Sequence, residues 1–244
     1  MVRDYRALGL ATHYRFEYEE AESWYQRARA ILEENRDEET ALLVYHELGT
    51  VYHARFMYEE AERWYKQALT LSDQFGKAGQ MALEFHHLGL MEQSRGMFFD
   101  DAENWFQLAL EKREEMGDRN GAGDEHRQLG VLHHEQKKLN QAEICYRRAL
   151  EIFEDTGDLQ RVSRTLGQLA MVEEDRGNLA EALSWAHRTY ELAIEHQLPV
   201  LTQVKAHLGR LREKFGETEF NQWWHGSTGG EPPTGLDVDT STIL

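Results

Sequence analysis

Basic side chains recur at regular intervals in a sequence that otherwise carries many carboxylates. Arg6 lies seven residues before His13, and His46 lies seven residues before His53, 40 positions further along. Helical residues that are four or seven positions apart share one face, so each pair projects from one side of a helix. Guanidinium and protonated imidazole groups donate hydrogen bonds to carboxylates and carbonyls. Acidic or peptide-like groups are therefore the ligands that such a row would bind.

An internal repeat provides the helices that carry this row. Alanines recur at intervals of 40, 41, 40 and 40 residues, at Ala21, Ala61, Ala102, Ala142 and Ala182. A leucine followed by glycine or alanine precedes each of them, at Leu8, Leu48, Leu88, Leu129 and Leu169. A sixth and weaker copy has Leu208 followed by Gly209, and Asn221 replaces its alanine. The apolar spacing predicts two amphipathic helices per copy, whose small residues allow close contact beside an aromatic ring.

The repeat predicts an all-α protein built from about six helical hairpins, of which the last is degenerate. One hairpin cannot bury both of its faces, whereas stacked copies can. The predicted repeat domain covers residues 1–225, with copies at about 1–36, 37–76, 77–117, 118–157, 158–197 and 198–225. Residues 226–244 are rich in glycine and small polar residues, which predicts a flexible acidic C-terminal tail.

This pattern resembles the tetratricopeptide repeat family over roughly residues 1–225. The similarity rests on the Leu–Gly motif and on segments around the repeated alanine, such as YEEAESWYQRARAI and YEEAERWYKQALTL. The period of 40 differs from the 34 common in the family. Glycine, as at Gly76, replaces the family's proline after the second helix. The copies are most similar to the repeats of bacterial regulators and signalling ATPases. The resemblance implies a solenoid that winds as a right-handed superhelix, with the first helix of each copy on its concave face.

The concave face is where we predict the binding site. In the first four copies a mostly apolar middle position is flanked by basic or polar residues. The predicted peptide-binding residues are Arg6, Leu10, His13, His46, Thr50, His53, His86, Leu90, Gln93, Arg127, Val131 and His134. In the last two copies the same positions hold Gly167, Met171, Glu174, Ala206, Arg210 and Glu213. We expect the first four copies to bind an extended or helical protein or peptide ligand with apolar anchors and acidic groups. Reversal of Arg6 and Arg127 to Glu should then weaken binding.

Two further interpretations of the same residues stay open. In the first, these side chains form only the hydrated inner surface of the superhelix. In the second, the five histidines of the row gain charge between roughly pH 7 and pH 5.5, so that binding strengthens on mild acidification.

The two ends of the repeat array differ from its interior. Only seven residues precede Leu8, without a capping residue, which favours a chain excised from a longer protein. At the other end the tail combines acidic Asp237 and Asp239 with apolar Leu236 and Val238. This composition complements the predicted groove, so docking of the tail into its own groove is an alternative to disorder.

Composition and the lack of catalytic motifs exclude several classes of function. The chain has 44 acidic and 27 basic residues and a net charge of −17, which argues against nucleic acid as a partner. No stretch reaches the ~18 apolar residues of a membrane span, so we expect no membrane partner. The single cysteine, Cys145, excludes an internal disulfide and favours a reducing, cytoplasmic compartment. The sequence has neither a phosphate-binding loop, a catalytic triad nor a metal-binding motif, so we expect no enzymatic activity, cofactor or metal.

The sequence therefore predicts a non-enzymatic module that binds proteins or peptides through its concave face. The resemblance implies that it serves as the C-terminal sensor or scaffold region of a larger regulator. Two alternatives are a receptor for a small peptide signal and an architectural spacer that mediates oligomerisation.

Overall fold

The computed structural model describes residues 1–96 and 99–236, and this part of the chain forms twelve α-helices and no strand. The helices are α1 Val2–Tyr14, α2 Tyr18–Asn35, α3 Glu38–Ala54, α4 Tyr58–Gln74, α5 Ala78–Arg95, α6 Phe99–Glu115, α7 Arg119–Glu135, α8 Leu139–Thr156, α9 Leu159–Arg176, α10 Leu179–Glu195, α11 Leu201–Phe215 and α12 Glu217–Thr228. Odd-numbered helices are the first helices of the six copies. The predicted all-α repeat fold is confirmed.

The chain divides into two compact units, and the boundary falls within α7. Unit 1 comprises residues 1–125, and unit 2 begins at His126. In unit 1 the second helices contribute the fully buried rings of Tyr25, Tyr65 and Phe106. In unit 2 the rings of Tyr146 and others on the second helices are buried in the same way. Each unit therefore has its own core of aromatic rings packed between first and second helices.

Glycine in the Leu–Gly motif is required because an aromatic ring of the second helix occupies the space beside it. A Cβ atom at Gly49 would lie 2.5 Å from Cε1 of Tyr65, and one at Gly89 would lie 2.7 Å from Cε1 of Phe106. Atoms at such distances overlap, so any larger residue would push the two helices apart. The sequence-based expectation of small residues beside an aromatic ring holds at these positions.

The turns between helices use left-handed backbone conformations. Gly157 ends α8 with a φ of 71°, as predicted for a glycine C-cap, and Gly117 follows α6 with a φ of 69°. Phe16 and Phe56 adopt φ values of 62° and 60°, which residues with a Cβ atom rarely do. Their side chains are 77% and 74% exposed. The turns between α1 and α2 and between α3 and α4 therefore each present a phenylalanine to solvent.

The C-terminal hairpin extends beyond the predicted end of the repeat domain. Helix α12 continues three residues past position 225 and ends at Thr228. Leu236 is buried in the core of unit 2, and its carbonyl oxygen occupies the space that a Cβ atom would need on Gly209. Part of the predicted tail thus takes the place that an aromatic ring takes beside Gly49. The rest of it, residues 237–244, lies outside the described residues.

Candidate functional site

The predicted binding residues lie on the first helices, at three positions counted from the repeat leucine of each copy. Position −2 in unit 1 holds Arg6, His46 and His86, on α1, α3 and α5. Position +2 holds Leu10, Thr50 and Leu90, and position +5 holds His13, His53 and Gln93. In unit 2 the corresponding residues of α7 are Arg127, Val131 and His134. Within unit 1 the helical repeat therefore keeps the predicted residues in three rows.

Arg6 is bound to a glutamate of the next first helix. Its Nη2 donates to Oε1 of Glu47 at 2.6 Å, and its Nε donates to both oxygens of the same carboxylate. The Glu47 side chain is only 9% exposed, and its hydrogen bond raises the pKa of Arg6. A carboxylate removed from water needs such a partner. Arg6 is therefore already engaged by a carboxylate within unit 1.

The histidines at position −2 repeat this arrangement. His46 Nδ1 lies 3.0 Å from Oε1 of Glu84, and His86 Nδ1 lies 2.9 Å from Oε2 of Glu125. Both glutamate side chains are almost completely buried. Gln80 Nε2 also donates to Glu84, at 2.5 Å. An acidic ligand that binds at position −2 of unit 1 would therefore compete with an intramolecular carboxylate at each of the three basic residues.

The histidines at position +5 of unit 1 are partly withdrawn from water. The His13 ring packs edge-on against Tyr18, with ring centres 5.5 Å apart. His53 Nε2 lies 3.1 Å from the Oγ of Ser94 on α5. Burial lowers the pKa of both His13 and His53. A lowered pKa keeps an imidazole neutral to more acidic pH, so these two residues argue against binding that strengthens between pH 7 and pH 5.5.

Position +2 of unit 1 includes an exposed leucine, Leu10. Leu10 is 38% exposed, and Leu90 is partly exposed. Thr50 donates its hydroxyl to the backbone oxygen of Glu47 at 2.8 Å. This row offers apolar side chains to a ligand without first breaking an ion pair.

In unit 2 the histidine of the predicted row is again held by the next first helix. His134 Nε2 lies 3.0 Å from Oδ2 of Asp175 on α9, and Lys137 Nζ lies 2.7 Å from the same oxygen. Hydrogen bonds from Lys137 and then His134 lower the pKa of Asp175. Val131 is partly buried and packs against the core of this unit.

A pocket of about 430 Å³ opens between α9 and α11 in unit 2. Its volume lies within the range typical of small-ligand sites. The apolar side chains of Met171 and Val204 line it together with the polar side chains of Arg164, Gln168 and Arg210. Although the chain has 44 acidic residues, none of the described residues that line the pocket is acidic.

The pocket is open because both members of the position −2 ion pair are missing. Gly167 occupies position −2 on α9, where unit 1 has arginine or histidine. Glu84 and Glu125 lie four residues before their repeat leucines, and Val204 takes that place on α11. A Cβ atom at Gly167 would meet no atom within 4 Å. The loss of one long basic side chain and of its carboxylate leaves the space that the pocket occupies.

The polar groups of the pocket differ in how they are satisfied. Arg164 and Arg210 are exposed and have no hydrogen bond or ion pair within residues 1–96 and 99–236. The Oε1 atom of Gln168 is buried and accepts no hydrogen bond from the described residues. These three side chains were not among the sequence-predicted site residues. The replacement of the basic residue by Gly167 was the available signal, but its consequence depended on α11.

A polar bridge includes one of the residues that line the pocket. His207, which lines the pocket, donates from Nε2 to Oε2 of Glu174 at 2.7 Å. Lys214 Nζ donates to Oε1 of the same carboxylate at 2.6 Å. The two hydrogen bonds lower the pKa of Glu174 to about 2. Glu174 is thus a fully engaged carboxylate and does not oppose an anion in the pocket as a free charge would.

Neither a metal site nor a membrane span is found in the described part of the chain. No group of three or more His, Cys, Asp or Glu side chains there is arranged to hold a metal ion. No helix of that part combines the length and the apolar character needed to cross a membrane.

Solved structures of helical repeat proteins resemble this fold. BtubC from P. vanneervenii aligns with a TM-score of 0.71 and 23% identity, over 80% of this chain and 81% of BtubC. A signal transduction ATPase from Pyrococcus horikoshii, which has a tetratricopeptide repeat sensor, aligns with a TM-score of 0.77 and 17% identity. That alignment covers 90% of this chain but only 34% of the ATPase.

A third structure is that of the Rap conjugation gene regulator of the plasmid pLS20 in complex with the Phr* peptide. It aligns with a TM-score of 0.66 and 19% identity, over 92% of this chain and 62% of the regulator. At these identities the similarity extends to the fold alone. This chain therefore spans about a third of the length of the ATPase and 62% of the length of the Rap regulator.

Sequence comparison identifies the family. A search of curated proteins gives no match. A family model described as tetratricopeptide repeat matches residues 5–74 and 81–155, which is more than half of the chain. The Leu–Gly pairs that admit an aromatic ring of the second helix lie within these segments. The chain belongs to the tetratricopeptide repeat family.

Proposed function

We propose that the chain is a non-enzymatic module that binds a protein or peptide ligand through the position +2 row of its first helices. The observation that carries this proposal is the exposure of apolar residues in register. Leu10 on α1 of unit 1 is 38% exposed, and Met171 on α9 of unit 2 is 46% exposed. Each residue occupies position +2 of its copy. Contiguous exposed apolar surface marks sites that bind a partner, so we infer that the position +2 side chains of each unit contribute to such a surface.

The basic residues beside this row favour a ligand with polar or acidic groups as well as apolar anchors. Arg6 and His46 keep part of their surface in solvent, at 25% and 16%, although each is paired with a glutamate. A peptide carbonyl can share such a donor without displacing the carboxylate. The twelve predicted residues thus remain our candidate contact surface, with position +2 as its main source of affinity.

Fold similarity supports this class of function. The Rap regulator was solved with a bound peptide, and the ATPase has its repeats as a sensor. We infer by analogy that this chain acts as the sensor or scaffold region of a larger regulator in the cytoplasm. A receptor for a small peptide signal and an oligomerising spacer are the alternatives. Docking of residues 237–244 onto the chain's own surface remains a further proposal.

Peptide selection tests the proposal even though the partner is not identified. A random peptide library is selected on the complete chain, and the dissociation constant of the enriched peptide is measured by calorimetry. We expect Leu10→Asp combined with Leu90→Asp to weaken binding at least about tenfold, because buried apolar contact contributes roughly 1.5–3 kcal/mol per side chain. A Leu108→Asp variant is the matched control, since Leu108 is also 38% exposed but lies on the second helix α6.

The outcomes separate the three interpretations. Unchanged affinity in the Leu10 and Leu90 variant would place binding elsewhere. Self-association without any enriched peptide would favour the spacer. Reversal of Arg6 to Glu, which the sequence alone suggests, is a poor test, since it would place a second carboxylate beside buried Glu47 and disturb the fold itself.

A further inference from the structure

Two phenylalanines occupy a turn position at which three of the other four copies have glycine. Eight residues after its repeat leucine, each of the six copies adopts a positive φ. The residues at this position are Phe16, Phe56, Gly96, Lys137, Gly177 and Gly216. A bulky residue is strained in this conformation, whereas glycine is not. The two phenylalanines are therefore unfavourable for the backbone at the place where they stand.

Packing within the hairpins does not offset this strain. Both phenylalanine side chains are about three-quarters exposed, so they gain little from burial. Each ring meets the tyrosine two residues further on, Tyr18 or Tyr58, edge-on with ring centres 6.3 Å apart. Strained residues of this kind are retained where a function requires them. A binding partner that covers the two rings would account for them.

The two turns lie next to each other on one edge of unit 1. Arg55, which directly precedes Phe56, reaches back to the helix that follows Phe16. Its Nη2 lies 3.6 Å from Oε1 of Glu19, and its Nη1 donates to Oε2 of Glu22 at 2.5 Å. Phe16 and Phe56 are therefore consecutive members of one row of turns.

The exposed charge on this edge is negative, because its ion pairs turn their carboxylates outward. The Glu19 side chain is 82% exposed, whereas Arg55 beside it is 25% exposed. In the next copy Glu59 is 81% exposed, and Arg95, which contacts it at 2.9 Å, is 16% exposed. Arg15 on the same edge is exposed, but a glutamate two residues further on neutralises its charge. Carboxylates beside exposed aromatic rings are complementary to a cationic ligand.

An arginine side chain matches both features of this edge at once. Its planar guanidinium stacks on an aromatic ring and donates paired hydrogen bonds to a carboxylate. The ammonium group of lysine carries the same charge but has no planar face to stack on a ring. Two rings in consecutive copies call for two such side chains in one ligand.

We propose that the edge formed by Phe16, Glu19, Phe56 and Glu59 binds an arginine-containing segment of a partner protein. One guanidinium stacks on each phenylalanine ring and donates to the glutamate three residues after that ring. This surface belongs to the turns that join first and second helices. It is therefore separate from the position +2 row, and it does not rest on the proposed function.

Fluorescence anisotropy with a labelled peptide of alternating arginine and glycine tests this surface on the complete chain. The measurement is made at physiological ionic strength, where attraction to distant charges is screened. We expect Phe16→Gly combined with Phe56→Gly to weaken binding about tenfold, since each stacked ring contributes a few-fold in affinity at an exposed site. A peptide with lysine in place of arginine should bind the wild type more weakly than the arginine peptide does.

The same double variant should be more stable than the wild type, because glycine adopts a positive φ without strain. Its midpoint of thermal unfolding should rise while its affinity for the peptide falls, so that loss of binding cannot result from misfolding. Gln197→Gly is the matched control, since Gln197 is an exposed, uncharged residue of unit 2 with a φ of 51°. This variant should also raise the midpoint, and it should leave peptide affinity unchanged.

Three results would overturn the proposal. The first is unchanged peptide affinity in the Phe16 and Phe56 variant. The second is equal affinity for the arginine and lysine peptides, which would reflect only attraction to the net charge of −17. The third is a dimer of the wild type, seen by sedimentation, that the glycine variant does not form, since this would assign the two rings to a second copy of the chain.

Discussion

Position −2 of the first helices is occupied differently in unit 1 and on α9 of unit 2. In unit 1 a basic residue at this position pairs with a glutamate of the next first helix, as His46 does with Glu84. In unit 2 the corresponding residues of α9 and α11 are Gly167 and Val204, and a pocket lies between the helices. Where both members of the pair are replaced, the space between the two first helices is open rather than bridged.

The comparison shows why charges on a repeat surface cannot be assigned from one copy at a time. His46 and His86 look like free donors when their own helices are considered alone. Each is held by a buried carboxylate, Glu84 or Glu125, that belongs to the next copy. Pairs of this kind are weak evidence for stability, but each makes an incorrect stacking of copies unfavourable, because a shifted copy would leave a carboxylate buried without a partner.

The largest expected effect comes from breaking a bridge of unit 1. Arg6→Ala leaves Glu47 with little access to water and without its cation, so we expect the free energy of unfolding to fall by about 3 kcal/mol. Urea denaturation monitored by circular dichroism measures the change. Arg15→Ala is the control, since the pair of Arg15 with Glu17 is exposed and should contribute less than about 1 kcal/mol. Equal losses of stability in the two variants would mean that the Arg6–Glu47 pair contributes no more than an exposed ion pair does.

Glycine in the Leu–Gly motif gives the next largest effect. In Gly49→Ala the new Cβ atom would lie 2.5 Å from the buried ring of Tyr65. Overpacking of this kind costs about 1–3 kcal/mol, and thermal unfolding should show a lower midpoint. A variant as stable as the wild type would show that the first and second helices can separate without loss.

The polar bridge formed by Glu174 with His207 and Lys214 predicts that the stability of unit 2 depends on pH. Hydrogen bonds from His207 and Lys214 lower the pKa of Glu174 to about 2, below its value in the unfolded chain. As the pH falls, the Glu174 carboxylate of the unfolded chain is protonated before that of the folded chain. The folded protein therefore loses stability between about pH 4.5 and about pH 2. The loss should be on the order of 2 kcal/mol larger in the wild type than in Glu174→Gln. Parallel stability curves for the two proteins over this range would contradict the assignment.

The smallest expected effect is an increase in stability. It distinguishes Gly167, which has open space beside it, from Gly49, which packs against an aromatic ring. Gly167→Ala adds a methyl group where no atom lies within 4 Å, inside helix α9. We expect stability to increase by about 0.5–1 kcal/mol, since alanine favours the helix over glycine by that amount. Differential scanning calorimetry of Gly167→Ala beside Gly49→Ala measures the contrast. A destabilised Gly167→Ala would indicate that this glycine is required for packing rather than for an open pocket.

Much of the fold could be predicted because its determinants are local. The spacing of Leu8 and Ala21 recurs in four further copies and more weakly in a sixth, and this recurrence identifies the hairpins and their family. The last helix was the exception, since it ends at Thr228 and the chain returns to bury Leu236 beside Gly209. No repeat pattern marks that return.

The candidate site was predictable only in part. Periodicity placed Arg6 and His46 at the same position of successive first helices, and they lie in α1 and α3. Their partners were not predictable from spacing, since Glu47 lies one residue before its repeat leucine and Glu84 lies four residues before its own. Arg164 and Gln168 could not be singled out, because nothing in their own helix distinguishes them from ordinary surface residues.

The amino-acid sequence by itself determined the hairpins, their number and the residues that share a helical face, because helical periodicity depends on neighbours within a few turns. Only the tertiary structure decided which charges are engaged and which are available. That depends on side chains about 40 residues away on the next copy, such as Glu47, which pairs with Arg6, and Val204, which lines the same pocket as Gly167. The physical reason is that burial and pairing are properties of the space between helices, which no single helix contains.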